Sequence, residues 1–517
     1  MLNQLSEEKG FEMKLIQYFL ILFLFVLGLN AQTNFDSQKL DSVLSKALED
    51  FELPGMAVGV IKDSTIVFNK GYGYRVWNSD KMVDTESLFG IASLSKAFTA
   101  AAIGILVDEG KLDWNDRVID YLPWFKLSDS YVEKELTIVD LLTHRAGYNT
   151  FDGDLLWYGS NYDRKKILRR FREMPAKISF RSEYGYSNIM FLAAGEVIEA
   201  VSGKTWDDFV KERILSPLDM KNTFTTNTNF NETTNVAYPH LDRKVLQFLN
   251  YDNIGPAASI NSCTSDMLKW AQMWLNMGTV NGNQILKEQT INKILTSYLA
   301  INVGNVNRIN GRHFLNTGMG WFLQDWQGRK IVQHSGGLPG YISRLALVPE
   351  ENLAVVVLTN DEAYLTTPVI NYIIDLAIGE LGDEDYFDRT LKYFKGKSER
   401  LEKVKEERKS KRIENTSPSQ KLENFIGVYE DKMYGEAEIV FNNGSLNLIM
   451  LPSKELFSAK LNHWHYDTFD FKFNDPFLPE GLVTFETNKD GKISGFKIDL
   501  PNPDFHFYNL NFIKKAN

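Results

Sequence analysis

Ser93 and Lys96 place a hydroxyl and an amine three residues apart in Gly90-Ile91-Ala92-Ser93-Leu94-Ser95-Lys96, at the head of the apolar run Thr99 to Val107. Residues three apart share a face of a helix, so the two groups can meet. A serine hydroxyl is a poor nucleophile until a base takes its proton, and a lysine in a dry pocket can shed its own proton and become that base. The partial positive charge of a helix N-terminus favours the negative charge that develops in acyl transfer. The same spacing recurs at Ser6 and Lys9 and at Ser494 and Lys497. The first pair falls in a leader, and the second in an alternating strand pattern that sends residues three apart to opposite faces.

An acyl-transfer site also needs a proton donor for the leaving group and donors aimed at the oxyanion. Tyr184-Gly185-Tyr186-Ser187-Asn188, ahead of an apolar helical pattern, and His334-Ser335-Gly336-Gly337, on a strand pattern, supply candidates. Singly, each has a plainer reading. Tyr186 fits a core aromatic beside a capping Asn188, and Tyr251-Asp252-Asn253 repeats the spacing. His334 alone reads as a packed histidine, and His144 as a structural hydrogen-bonding residue. No Gly-x-Ser-x-Gly elbow is present, which disfavours an α/β-hydrolase.

The elements that must position these residues follow from periodicity. Helical spacing runs from Phe35 to Phe51, and Met56–Ile61 and Thr65–Tyr74 read as two strands. From Thr99 to about Leu323 the pattern is mainly helical. Strands return at Ile331–His334, Tyr341–Val348 and Leu353–Leu358, followed by helical spacing from Thr366 to Leu381. Strands at both ends with helices between them predict an α+β fold: an antiparallel sheet flanked by helices, an inserted helical domain beside it, and a cleft where they meet.

Together the motifs resemble the serine β-lactamase and penicillin-binding-protein superfamily, in its class C β-lactamase, D-aminopeptidase and carboxylesterase branch. The matches are Ser93-x-x-Lys96, Tyr186-x-Asn188 and His334-Ser335-Gly336, with Leu141 to Gly147 similar to a helix-to-loop segment of that family, Arg145 standing where a small polar residue is usual. The likeness covers about residues 36 to 380. It implies that Ser93 attacks a carbonyl to form an acyl-enzyme. Lys96 would deprotonate Ser93, or its charge would lower the pKa of Tyr186 so that the phenolate acts. Asn188 would orient Lys96 and a substrate amide, and His334, Ser335 and Gly336 would bind substrate. The backbone N–H groups of Ser93 and Gly337 would form the oxyanion hole. Where relatives usually carry lysine, this chain has His334, a side chain only partly charged near neutral pH. That favours a peptidase or esterase over a true β-lactamase.

The expected function is an exported serine hydrolase acting on an amide or ester, with a D-amino-acid-containing peptide as the leading substrate class. A carboxylesterase, a weak β-lactamase, or a penicillin-binding or sensor protein that never turns over are the alternatives. The partner is a small-molecule or peptide substrate. The net charge of -10 offers no basic surface for nucleic acid, and no cofactor or metal is called for. The one cysteine, Cys263, excludes an intramolecular disulfide and reads as a buried thiol. The sequence leaves the oligomeric state open.

Residues 1–31 read as a signal peptide, with Lys14 before the apolar run Leu15 to Leu29 and Ala31 at its end, so a periplasmic or extracellular location is expected. An uncleaved anchor is the alternative, and the acidic first twelve residues leave Met13 as a possible start. The hydrolase domain is placed at 32–385. A charged, solvated helix and flexible linker follow at 386–420. Residues 421–517, with alternating strands at Phe425–Tyr429, Glu436–Phe441, Leu446–Leu451, Phe469–Phe473, Leu482–Thr487 and Ile493–Leu500, read as a small β-barrel resembling lipocalin-like domains. His463-Trp464-His465 lacks accompanying ligands and reads as packing or surface.

Overall fold

The structure is a computed structural model that describes residues 35–231, 234–304, 312–382 and 385–516. The expected leader, with Ser6 and Lys9, lies outside the described residues. Helix α1, Ser37–Asp50, begins where Asp36 accepts the Lys39 N–H at 2.8 Å, and it buries Leu40, Leu44 and Ala47 along one face. Strands β1 (Gly55–Lys62) and β2 (Thr65–Gly73) form the expected hairpin.

Eight antiparallel strands make the main sheet. The later ones are β3 (Leu299–Ala300), β4 (Leu315–Thr317), β5 (Phe322–Trp326), β6 (Arg329–Leu338), β7 (Tyr341–Val348) and β8 (Leu353–Thr359). Their spatial order is β2-β1-β8-β7-β6-β5-β4-β3. The chain's first and last sheet segments therefore pair inside the sheet, next to edge strand β2, with Val58 opposite Val357. Strand β1 is buried on both faces. Met56, Val58 and Val60 pack with Leu40, Leu44 and Ile373, while Ala57 and Ile61 face the helical domain. Gly59 is a contact point there, because a Cβ would lie 2.9 Å from Leu268.

The sheet resumes at Leu299, earlier than the expected Ile331. Strands β3 to β5 have two, three and five residues, too short to show a period against the loops around them. Between β2 and β3 lie the helices of the inserted domain, including α2 (Ser95–Asp108), buried at twelve of its fourteen positions, and α3 (Asn188–Ser202).

After β8, helix α4 (Thr366–Ile378) covers the outer face, and α5 (Tyr386–Ser410) is exposed beyond Tyr386 apart from partly buried positions. The end of α5 and the segment after it make polar contacts with the barrel: within α5 Arg408 binds Asp499 at 2.8 Å, and beyond it Arg412 donates to the Trp464 carbonyl and Ser419 donates to Asp467.

That barrel is closed, with strands β9 (Gly427–Asp431), β10 (Gly435–Asn442), β11 (Ser445–Met450), β12 (Ser458–His465), β13 (Thr468–Phe471), β14 (Gly481–Thr487), β15 (Ile493–Asp499) and β16 (Phe512–Lys514). Two were not expected. In β12 the alternation breaks at a bulge between His463 and His465, and β16 has only three residues. Aromatic rings fill the interior, Phe496 stacking on Phe512 at 4.6 Å. His463 Nε2 pairs with the Tyr466 carbonyl and His465 Nδ1 accepts from the Ile413 N–H, consistent with packing roles.

Candidate active site

Ser93 sits in a 3-10 turn, Ala92–Leu94, that leads into α2, whose second residue is Lys96. The turn is tight: Ala92 has φ +50°, a conformation that L residues adopt at a cost of about 1 to 2 kcal/mol. It is clamped from the sheet, since Ser343 Oγ donates to the Ile91 carbonyl at 2.7 Å. Gly336 on β6 permits that approach. A Cβ there would lie 2.3 Å from the Ile91 oxygen and 2.4 Å from Ser343 Oγ.

Lys96 is fully buried, and its Nζ has three oxygen neighbours: Ser93 Oγ at 3.0 Å, Asn188 Oδ1 at 2.6 Å and the Ala257 carbonyl at 3.0 Å. A neutral amine has two N–H bonds and one lone pair. The two carbonyl oxygens can only accept, so they take the N–H bonds, and the lone pair is left to the Ser93 hydroxyl. Burial pushes the ammonium down to about 7, against a weaker upward pull from Asp154.

Asn188 is the first residue of α3, where Ser187 caps the helix by accepting the Met190 N–H at 3.2 Å. Its Nδ2 donates to Asp154 Oδ2 at 2.6 Å. Asp154, 3% exposed, is held up to about 7 by burial.

Tyr186 stacks on His144 at 4.2 Å, and its ring faces Lys96 Nζ at 4.7 Å. Burial pushes its phenol far above the ordinary value of 10, with the Ser93 hydroxyl working weakly the other way. The direction of that shift favours the protonated phenol over the phenolate. His144 Nδ1 accepts the Ser187 N–H at 3.1 Å, the structural hydrogen bond expected of it. Arg145 is turned away, paired with buried Asp140 at 2.6 Å.

His334 departs from expectation. It is 2% exposed, and burial, with Lys96 nearby, pushes it down to about 3. Its Nδ1 lies 2.6 Å from the Ser335 carbonyl, which can only accept, so Nδ1 carries the proton. The ring is neutral, not partly cationic. Its Nε2 is buried without a partner.

Ser93, Tyr186, Asn188, His334, Ser335 and Gly337 line one cavity of about 350 Å³. No arginine or lysine is among the described residues lining it. Sequence reasoning missed Asp154, which lies in the turn-like run Thr150-Phe151-Asp152-Gly153-Asp154. It also missed Phe477, Asp504 and Phe505, which the barrel contributes to the same cavity. The barrel docks beside the site: Tyr158 donates to Asp475 at 2.8 Å, Tyr162 to the Tyr434 carbonyl at 2.8 Å, and Arg170 to the Met433 carbonyl at 2.6 Å. Cys263 is remote from the reacting groups, buried, its thiol pushed up to about 12. No cluster able to hold a metal ion occurs among the described residues.

A family model described as Beta-lactamase matches residues 40–377, and one described as a domain of unknown function, DUF3471, matches residues 411–514. A curated relative from Aspergillus campestris, named Unguisins hydrolase ungD', is 28% identical over 68% of this chain and 67% of its own length. Protein flp of Staphylococcus aureus is 26% identical over 66% of this chain and 68% of its own. Among solved structures, an octameric penicillin-binding protein homologue from Pyrococcus abyssi matches 93% of this chain and all of that one, with TM-score 0.60 and 22% identity, a likeness of fold.

Proposed function

Because this chain belongs to the Beta-lactamase family, whose model spans most of it, we propose that it is a serine hydrolase that cleaves an amide or ester through an acyl-enzyme on Ser93. The carrying observation is the buried Lys96 Nζ, with Ser93 Oγ at 3.0 Å, Asn188 Oδ1 at 2.6 Å and the Ala257 carbonyl at 3.0 Å, contacts that in the neutral amine leave the lone pair for Ser93. In the first step Lys96 takes the Ser93 proton as Oγ bonds to the carbonyl carbon, and the carbonyl π pair moves onto oxygen. The backbone N–H groups of Ser93 and Gly337 are assigned to that oxyanion; such a donor contributes about a hundred- to a thousandfold in rate. As the tetrahedral centre collapses, the bond to the leaving group breaks, Tyr186 protonates that group, and Lys96 returns a proton to Tyr186. Water then attacks the acyl carbon with the same groups in reverse, freeing the acid and Ser93.

A neutral His334, in a cavity lined by no arginine or lysine among the described residues, supports substrates that carry no carboxylate to be held there. This favours a peptidase or esterase over a β-lactamase. A D-amino-acid-containing peptide is the class we assign first, on the family resemblance, and a relative named as a hydrolase agrees with turnover. Export rests on residues 1–31 and belongs to the same proposal. The test is a panel of D-amino-acid peptide amides, simple esters and a β-lactam given to the full chain. Cleavage of the first or second class, lost in Ser93→Ala, supports the reading. A stable adduct without product would replace it with a non-turnover binding protein.

A further inference from the structure

The two ends of the Asn188 amide are chemically opposite, and so are the demands on them. Oδ1 accepts from Lys96, and Nδ2 donates to Asp154, both at 2.6 Å. Asp154 Oδ2 accepts from the amide NH2 and so leaves the amide carbonyl for Lys96. With the amide reversed, an NH2 group would face Nζ. Lys96 would lose one of its two carbonyl acceptors, and its lone pair would be drawn to the amide instead of the serine.

We propose that Asp154 is a positioning residue for the Ser93 chemistry, locking the Asn188 amide and through it aiming the Lys96 lone pair at Ser93 Oγ. The proposal deepens the hydrolase reading and rests on it.

The local fold holds Asp154 for this contact. Gly153, at φ +90°, makes the turn before it, and a Cβ there would lie 2.6 Å from the Phe171 ring. Asp154 then opens a 3-10 turn beneath α3, with its N–H on the Phe151 carbonyl. A carboxyl buried this deeply is costly; its Oδ2 has the Asn188 hydrogen bond and the charge of Lys96 across the amide, while its Oδ1 is buried without a partner. The other titratable groups that line the cavity or act on the pair are Tyr184, Tyr186, His144, His334 on β6, Glu362 and Asp504 of the barrel. Burial keeps both phenols protonated and both histidines neutral near pH 7. Of the carboxyl groups here, Asp154 is the one that pulls the Lys96 ammonium upward.

The experiment is the pH dependence of Ser93 labelling by a fluorophosphonate, read by intact mass on the full chain. Wild type should label with an acid-side midpoint near pH 7. Asp154→Asn removes the charge that favours the ammonium, so the midpoint should fall by about one pH unit. Misalignment of the lone pair should lower the plateau rate about tenfold or more. Asp154→Ser, which removes the charge without adding a second amide, should shift the midpoint the same way and serves if Asp154→Asn does not fold. A merely structural Asp154 would change the labelled fraction or the Tm and leave the midpoint in place. An unmoved midpoint with labelling intact overturns this proposal alone; wild type that neither labels nor cleaves any of the substrate panel overturns the hydrolase reading with it.

Discussion

Phe505, carried by the C-terminal barrel, stacks on Tyr158 of the helical domain with ring centroids 4.3 Å apart, and the same ring lines the cavity that holds Ser93. The barrel is therefore part of the wall of the site as well as a separate fold unit. Replacing Phe505 by alanine removes a ring that is 4% exposed, and losses of this kind cost about 3 kcal/mol or more. Phe505→Ala should lower the Tm and raise KM, more for an extended peptide than for a small ester. Michaelis constants for a substrate of each size check this; equal changes for both would remove the barrel from substrate selection.

The state of Lys96 sets the acid limb of the pH profile. A base acts only when unprotonated, and burial brings this ammonium down to about 7. kcat/KM should thus rise with pH through about 7 and fall away below it. Lys96→Ala should lose about a hundred- to ten-thousandfold in rate and lose that limb. A limb that persists in the variant would assign it to another group.

His334 makes the opposite kind of statement. Burial pushes it down to about 3, well below the working range, so it should contribute no charge between about pH 5.5 and 8. The ratio of kcat/KM for a carboxylate-bearing substrate and its methyl ester should stay flat over that range. A ratio that climbs below pH 6.5 would show a cationic His334 holding the carboxylate.

These cases mark what was legible in the sequence. Ser93, Lys96, Tyr186 and Asn188 could be picked out because Ser-x-x-Lys and Tyr-x-Asn, each beside an apolar helical run, occur in order with His334-Ser335-Gly336. The β1–β2 hairpin and the β6 to β8 strands were legible as short runs containing Val, Ile, Leu and Tyr, separated by turn residues such as Lys62-Asp63-Ser64 and Pro349 to Asn352. The charge of His334 was not, because it depends on burial by elements far apart in the chain. Asp154 was hidden in a run with turn composition, where aspartate and glycine ordinarily face water. Phe505 follows Pro503-Asp504 in the barrel, and only tertiary docking brings it 4.3 Å from Tyr158. The missed strands were short or interrupted by a bulge, leaving too few alternations to read.

The most direct measurement is intact mass after treatment with a fluorophosphonate and, separately, a β-lactam, comparing wild type with Ser93→Ala. The expected result is one phosphonyl adduct on wild type and none on Ser93→Ala, with little or no lasting β-lactam adduct on either. Wild type that takes up neither reagent and cleaves none of the substrate panel would contradict an activated Ser93 and, with it, the hydrolase reading.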